Sequence, residues 1–286
     1  MTAMDHPKPQ AKTGRALAAA RVRGWLARLA RPPRPALQRL RRWEARHLVS
    51  GAVVAAAILV LLTVLFDAAA IVGARTLAPG LQRFFDVITD YGKSGWFLWP
   101  LGLFLALAAA CAGTLSQRLG LIVASLATRA LFLFAAIALP GLFVNLVKGV
   151  IGRARPFVGG AADPYLFNPF TWGVPAYASF PSGHATTAAS VAVAFAALWP
   201  RLSPLLWFYA LMICVSRIVV TAHHPSDVLG GALVGALGAL LVRHYFAARA
   251  LGFAIDTDGR IHPVPGPSWR RLRSAIKRVA ASGPAQ

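Results

Sequence analysis

The chain has 286 residues, of which 57% are hydrophobic and only 14% charged, with a mean hydropathy of +0.59. Those values exclude an ordinary soluble domain. The formal charge of +21 would suit a nucleic-acid binder, but twenty of the thirty Lys and Arg lie in two tails, twelve in residues 1–50 and eight in residues 243–286. Basic flanks around an apolar body face an anionic membrane leaflet rather than a duplex, so no nucleic-acid partner is expected.

In chain order, residues 14–48 interleave Leu, Val and Trp with arginines. The pattern fits an interfacial amphipathic helix and equally a solvated polybasic tail, with an Arg-rich transit segment as a third reading. A secretory signal peptide is not expected, because the first apolar run starts only near residue 48. Six apolar runs follow, at 48–66, 96–113, 130–147, 184–199, 202–222 and 228–242. The first is nineteen residues, the length that crosses a hydrocarbon core, and Pro140 inside the third is tolerable in a membrane helix. Residues 79–92 are expected to form a short helix on the membrane surface. Residues 157–180 hold seven aromatics among glycines and prolines, a lid over a lipid chain or an interfacial belt. Cys111 and Cys214 fall inside apolar runs, so no disulfide framework is expected. No internal repeat is visible.

The expected fold is therefore all-α: a polytopic membrane protein, a six-transmembrane-helix bundle with its active site at the external membrane face. Residues 1–47 form a basic cytoplasmic tail, 48–246 the six-span domain and 247–286 a second basic tail. Six spans put both tails on one side, and their charge makes that side cytoplasmic. Arg118 and Arg201, in two short turns, fall there too, and Arg129 is expected to snorkel toward it. Residues 67–95, 148–183 and 217–227 then lie outside, periplasmic in a bacterial inner membrane.

These external segments carry the unusual polar residues. KGVIGRARPF opens with Lys148 and reaches Arg155-Pro156 after six intervening residues. SFPSGHATT runs Pro181-Ser182-Gly183-His184 directly into the fourth span. SRIVVTAHHPSD holds Ser216-Arg217, then His223 after five residues and Asp227 after three more. Each alone has a dull explanation: interface anchors, a polar helix end, a loop histidine. Jointly they cluster three cations and two histidines on the face otherwise poor in basic residues, which the dull account does not explain.

K-x6-RP, PSGH and SR-x5-H-x3-D, in this order and joined to these spans, resemble the three-part signature of the type 2 phosphatidic acid phosphatase superfamily, which includes membrane lipid phosphate phosphatases and, among soluble members, vanadium haloperoxidases and bacterial acid phosphatases. The resemblance covers roughly residues 50–245 and matches every fixed position. It implies a six-helix membrane enzyme that removes phosphate from a lipid through a phosphohistidine intermediate, with no metal or other cofactor.

The residues support such chemistry separately. Phosphoryl transfer needs positioning and neutralisation of charge on the equatorial oxygens. Lys148, Arg155 and Arg217 can supply that charge, the arginines by meeting two phosphate oxygens at once. The external carboxylates are few and none stands at a ligand spacing, so no metal site is expected. Gly183 allows close backbone approach to an anion, Ser182 can cap the fourth helix, and its free amides would face the phosphate. His184, in the first turn, is a candidate general acid and base. Asp227 can orient His223 at four residues, but His224 at three residues would also reach. The family spacing from Arg217 selects His223 as nucleophile.

The substrate is not legible beyond a lipid phosphate met at the bilayer: undecaprenyl diphosphate, phosphatidylglycerol phosphate, phosphatidic acid and lipid A 1-phosphate are all open. The GRARP wording resembles that of lipid A 1-phosphatases. Rival readings are a lipid phosphotransferase using the same site, a haloperoxidase, a membrane transporter and a structural membrane protein. A transporter would place its charges mid-span and would not need the step from PSGH into a helix. Oligomeric state is not legible.

Overall fold

A computed structural model describes residues 14–33, 41–268, 270, 273 and 274. The outer parts of both basic tails lie outside the described residues. The chain is mostly helical. Helix α1 spans Gly14–Leu29, α2 Arg41–Leu65, α3 Asp67–Arg75, α4 Pro79–Asp90 and α5 Gly95–Ala110. Helix α6 spans Gln117–Ile151, α7 Gly183–Leu198, α8 Ser203–Val219 and α9 Pro225–Ala248. A short antiparallel hairpin, β1 Phe253–Ile255 and β2 Ile261–Pro263, follows.

Four helical runs are long and apolar enough to cross a membrane: Pro79–Gly113, Gln117–Ile151, Pro200–Val219 and Pro225–Ala248. Helices α2 and α3, bent by 51° at their junction, make a fifth if counted as one. Helix α7, only sixteen residues long, is apolar but shorter than a full span. By length and composition, the described residues thus supply four or five candidate spans where the sequence led to an expectation of six: the fourth apolar run folds into a helix shorter than a full span, and the first continues into α3 only through a bend at Phe66.

Local sequence explains where the helices stop. Ser116 caps α6 by accepting from the Leu119 amide, and Gly152, at a φ of 59°, ends it in the left-handed conformation that glycine adopts without strain. A side chain at Gly152 would overlap the Asn168 carbonyl, so the turn also depends on a missing Cβ. Pro225 starts α9 at a position where a missing amide costs nothing.

The bundle centre is α7, alanine-rich and buried along most of its length, between α6 and α9. Lipid tails give helices no hydrophobic drive to associate, so small residues that let backbones touch become the means of packing. Gly231 and Gly235, four apart on α9, lie against the Ser182 and Thr186 carbonyls of α7, where any Cβ would overlap them. Phe132, Phe246 and Phe253 close the core at the other end of the bundle, with edge-to-face rings.

That other end is tied by arginines. Arg21 Nη1 donates to the carbonyls of Ala112 and Leu115, Trp25 Nε1 to Thr128 Oγ1, and Tyr245 Oη to the Leu29 carbonyl. Helix α1 is therefore bound along the bundle. Arg129 donates to Ser125 and to the Val264 carbonyl, pinning the segment after β2.

Candidate active site

Polar side chains from six helices, α3, α4 and α6 to α9, and from the loops between α6 and α7 and between α8 and α9 meet at the end of the bundle where α6 stops and α7 and α9 begin. The connections that bring them together are largely backbone. After Gly152 the chain folds back, with the Ala154 amide on the Leu166 carbonyl, Arg155 on Ala176 and Ser179 on Arg153. The Ser182 amide donates to the Asp227 carbonyl at 2.9 Å, joining the PSGH turn to the start of α9. At the end of α8, Thr221 takes a φ of 53°, a conformation costing a non-glycine residue about 1–2 kcal/mol. It lets the Ala222 and His223 amides close on the Arg217 carbonyl, so that His223 returns toward Arg217.

One layer of this cluster is saturated. Arg153, 3% exposed, donates through Nε to the Pro164 carbonyl (3.0 Å), through Nη1 to Ser226 Oγ (2.7 Å) and Asp227 Oδ1 (2.6 Å), and through Nη2 to Asp67 Oδ2 (2.8 Å). Asp67 also accepts from the Ser226 amide and hydroxyl. Asp227 accepts further from the His224 amide at 2.9 Å and from Ser179 Oγ at 2.6 Å. Every charge here is fully buried and paired, the only condition under which burial is tolerable.

The second layer is not saturated. Among the described residues, Lys148, Arg155 and Arg217 form no ion pair. Lys148 Nζ donates to the Ala178 carbonyl (2.6 Å) and Arg217 Nη1 to Thr89 Oγ1 (2.6 Å), while Nε of both Arg155 and Arg217 is buried without a partner. Burial pushes the Arg155 guanidinium below its ordinary value, opposed by the negative charge of Asp227. Ser182 holds the N-cap position of α7, as expected, yet its Oγ makes no capping bond and is buried unpartnered. Its hydroxyl and the first amides of α7 are thus uncommitted beside this positive charge.

His184 stands in the first turn of α7. It is packed against Gly92, where a Cβ would stand 3.0 Å from its ring. His223, 2% exposed, has Nδ1 3.4 Å from Ser179 Oγ and 3.8 Å from Asp227 Oδ2. The latter is too long for a hydrogen bond. Ser179 thus bridges the two, since its proton goes to Asp227 and its lone pairs face the imidazole. Burial pushes the His223 imidazole down to about 4, with Lys148 and Arg217 adding to that and Asp227 opposing it. It is neutral at pH 7, with a free lone pair. His224 is wholly buried, its Nδ1 3.4 Å from Asp227 Oδ2, and among the described residues neither ring nitrogen has a hydrogen-bond partner.

All the expected residues, Lys148, Arg155, Ser182, Gly183, His184, Arg217, His223 and Asp227, therefore come to one end of the bundle. Sequence reasoning missed Arg153, Asp67, Ser179, Ser226 and Thr89. Two of these had a visible signal: Arg153 stands inside the GRARP motif, and Asp67 is an acid directly after an apolar run.

Lys148 and Arg155 also line a cavity of about 360 Å³ that opens beside the cluster. A larger cavity, about 450 Å³, lies between α1, α5 and α6, but none of the cluster residues borders it. Of these two cavities, only the smaller one borders the cluster.

Uncommitted positive charge near the amino end of an apolar helix, beside a neutral imidazole, is an arrangement suited to phosphate chemistry. The comparisons give the family of the chain. The model of the PAP2 superfamily matches residues 129–251. The lipid A 1-phosphatase of Rhizobium johnstonii is 34% identical over 222 residues, 76% of this chain and 86% of that protein. The lipid A 1-phosphatase of Rhizobium etli is 32% identical over 241 residues, 84% of this chain and 98% of that protein. Among solved structures, that of Aquifex aeolicus LpxE is similar at a TM-score of 0.42 and 26% identity, over 59% of this chain and 88% of that one. The chain belongs to the PAP2 superfamily and is a lipid phosphatase of that type.

Proposed function

We propose that the protein hydrolyses the 1-phosphate of lipid A, without a metal, through a phosphohistidine on His223. The observation that carries the reading is the unpaired charge of Lys148, Arg155 and Arg217 beside a neutral His223 imidazole. The two Rhizobium relatives and the GRARP motif support the choice of lipid. The carboxylates of the cluster are engaged by Arg153, which leaves them poor ligands for a cation and supports neutralisation by side chains alone.

In the first step His223 Nε2 attacks phosphorus, and the bond to the lipid oxygen breaks. His184 delivers a proton to that oxygen, the incoming phosphate charge favouring the protonated imidazole. The Nδ1 hydrogen of His223 rests on Ser179, and through it on Asp227, so the tautomer with a free Nε2 persists and the developing positive charge is shared. Arg155, Arg217, Lys148 and the amino end of α7 hold the equatorial oxygens. In the second step water attacks the phosphohistidine, His184 takes its proton, and inorganic phosphate leaves with His223 neutral again.

The reading includes six spans, counting α2 with α3 as one and the short α7 as another. The basic tails lie in the cytoplasm, as do Arg118 and Arg201, and the cluster is at the periplasmic face of a bacterial inner membrane.

The test is phosphate release by detergent-purified protein over a panel of lipid A 1-phosphate, undecaprenyl diphosphate, phosphatidylglycerol phosphate and phosphatidic acid. Lipid A 1-phosphate should be turned over best, with or without EDTA, and vanadate should inhibit. His223→Ala should abolish turnover while His224→Ala keeps most of it. Loss of activity in EDTA, or preference for another lipid, would count against the reading.

A further inference from the structure

We infer that the cavity beside Lys148 and Arg155 is a sugar subsite, in which Asn145 and Trp172 receive the pyranose ring bearing the scissile phosphate. This rests on the phosphatase reading above and deepens it.

Asn145, Lys148 and Gly149 stand at i, i+3 and i+4 on α6 and line the same cavity. Asn145 interrupts an otherwise apolar stretch, LPGLFVNLV, six residues before the end of the helix. An amide facing lipid at that depth is costly, and polar residues in such helices serve a cavity or a partner. Asn145 is exposed, and no hydrogen bond joins it to another described residue, so both its donors and its acceptor are uncommitted. Lys148, one turn on, supplies charge to the phosphate. Whatever reaches Asn145 is thus the part of the substrate attached to that phosphate.

Trp172 forms the other wall. It is seated against α6 where Gly149 has no side chain, since a Cβ there would overlap the indole, yet the residue stays 55% exposed. The apolar C–H faces of a pyranose pack against indole by dispersion and desolvation, while its hydroxyls require polar partners. Asn145 offers these, as does Thr171, whose hydroxyl donates to the Asn168 carbonyl and keeps its lone pairs free. A cavity of about 360 Å³ holds a ring as well as the phosphate. A prenyl chain or a diacylglycerol backbone would strand the Asn145 amide without a partner, which is a means of discriminating against them.

The test is binding of two soluble probes, glucosamine 1-phosphate and glycerol 1-phosphate, to the full chain carrying His223→Ala, followed by thermal shift. The sugar phosphate should bind about tenfold more tightly, and Trp172→Ala or Asn145→Leu should each bring the ratio of the two Kd values toward one. Asn145→Leu places an apolar side chain on an exposed helix position and so keeps the test available if Trp172→Ala fails to fold. A ratio near one in the parent, or a ratio retained in both variants, overturns the subsite. The outcome is separable from the lipid panel: if lipid A 1-phosphate is not hydrolysed but the ratio stands, the substrate assignment falls and the subsite remains.

Discussion

Arg153 and Arg155 are two residues apart in one motif and live in opposite electrostatic worlds. Arg153 is buried, with its guanidinium shared among Asp67, Asp227, Ser226 and a backbone carbonyl. Arg155 is half-buried with an unpartnered Nε and no carboxylate partner among the described residues. The first layer holds the elements together, joining the bent α2–α3 pair, the loop after α6 and the start of α9. The second leaves its charge uncommitted among the described residues. An enzyme that stabilises a polyanion needs both, because a cation already neutralised by the protein contributes little to a phosphate.

The largest effect should come from breaking the saturated layer. Arg153→Ala would leave Asp67 and Asp227 buried beside each other without their cation, at a cost of about 3–5 kcal/mol. Thermal unfolding in detergent should show it as a large fall in Tm with little folded protein recovered, and an unchanged Tm would refute the division into two layers.

Arg155→Gln, by contrast, should fold with Tm little changed, since relief from Lys148 and Arg217 offsets lost packing. Its kcat/KM on a lipid phosphate should fall about 10²–10³-fold. If stability fell as much as for Arg153→Ala, the two arginines would not differ in kind.

The smallest effect concerns the link between the layers. Ser179→Ala removes the bridge from Asp227 to His223 while leaving both in place, and kcat should fall about tenfold, with KM less affected. The pH profile sharpens this further. Burial holds His223 at about 4 in the folded protein, below the ordinary histidine value near 6.5. Between those values the unfolded chain binds more protons, so stability should decline as pH falls from about 6.5 to 4. Activity should persist to a lower pH than an exposed histidine would allow. An acid limb at the ordinary value in the wild type would mean that another group is the nucleophile.

Lys148, Arg155, the PSGH turn, Arg217, His223 and Asp227 were legible because phosphate chemistry demands particular residue types at short, fixed spacings. Much of the helical scaffold was legible too, since bilayer thickness writes itself into the length of apolar runs. The short α7 and the break at Phe66 were not, because small-residue packing and a local bend depend on neighbours that a run of apolar letters does not name. Choosing between His223 and His224 by distance to Asp227 was likewise beyond local spacing. In the folded chain His224 is the nearer of the two to Asp227, and what separates them is that only His223 has the Ser179 bridge.

The chain of letters pointed to an apolar helical membrane protein and picked out the cations and histidines that meet in the candidate site, because composition and local spacing carry that information directly. Which arginine holds the fold and which is left to act was settled by Asp67 and Ser226, residues 86 and 73 positions from Arg153. Such pairings arise only when distant segments pack together, and burial then decides whether a charge is spent on a neighbour or remains available.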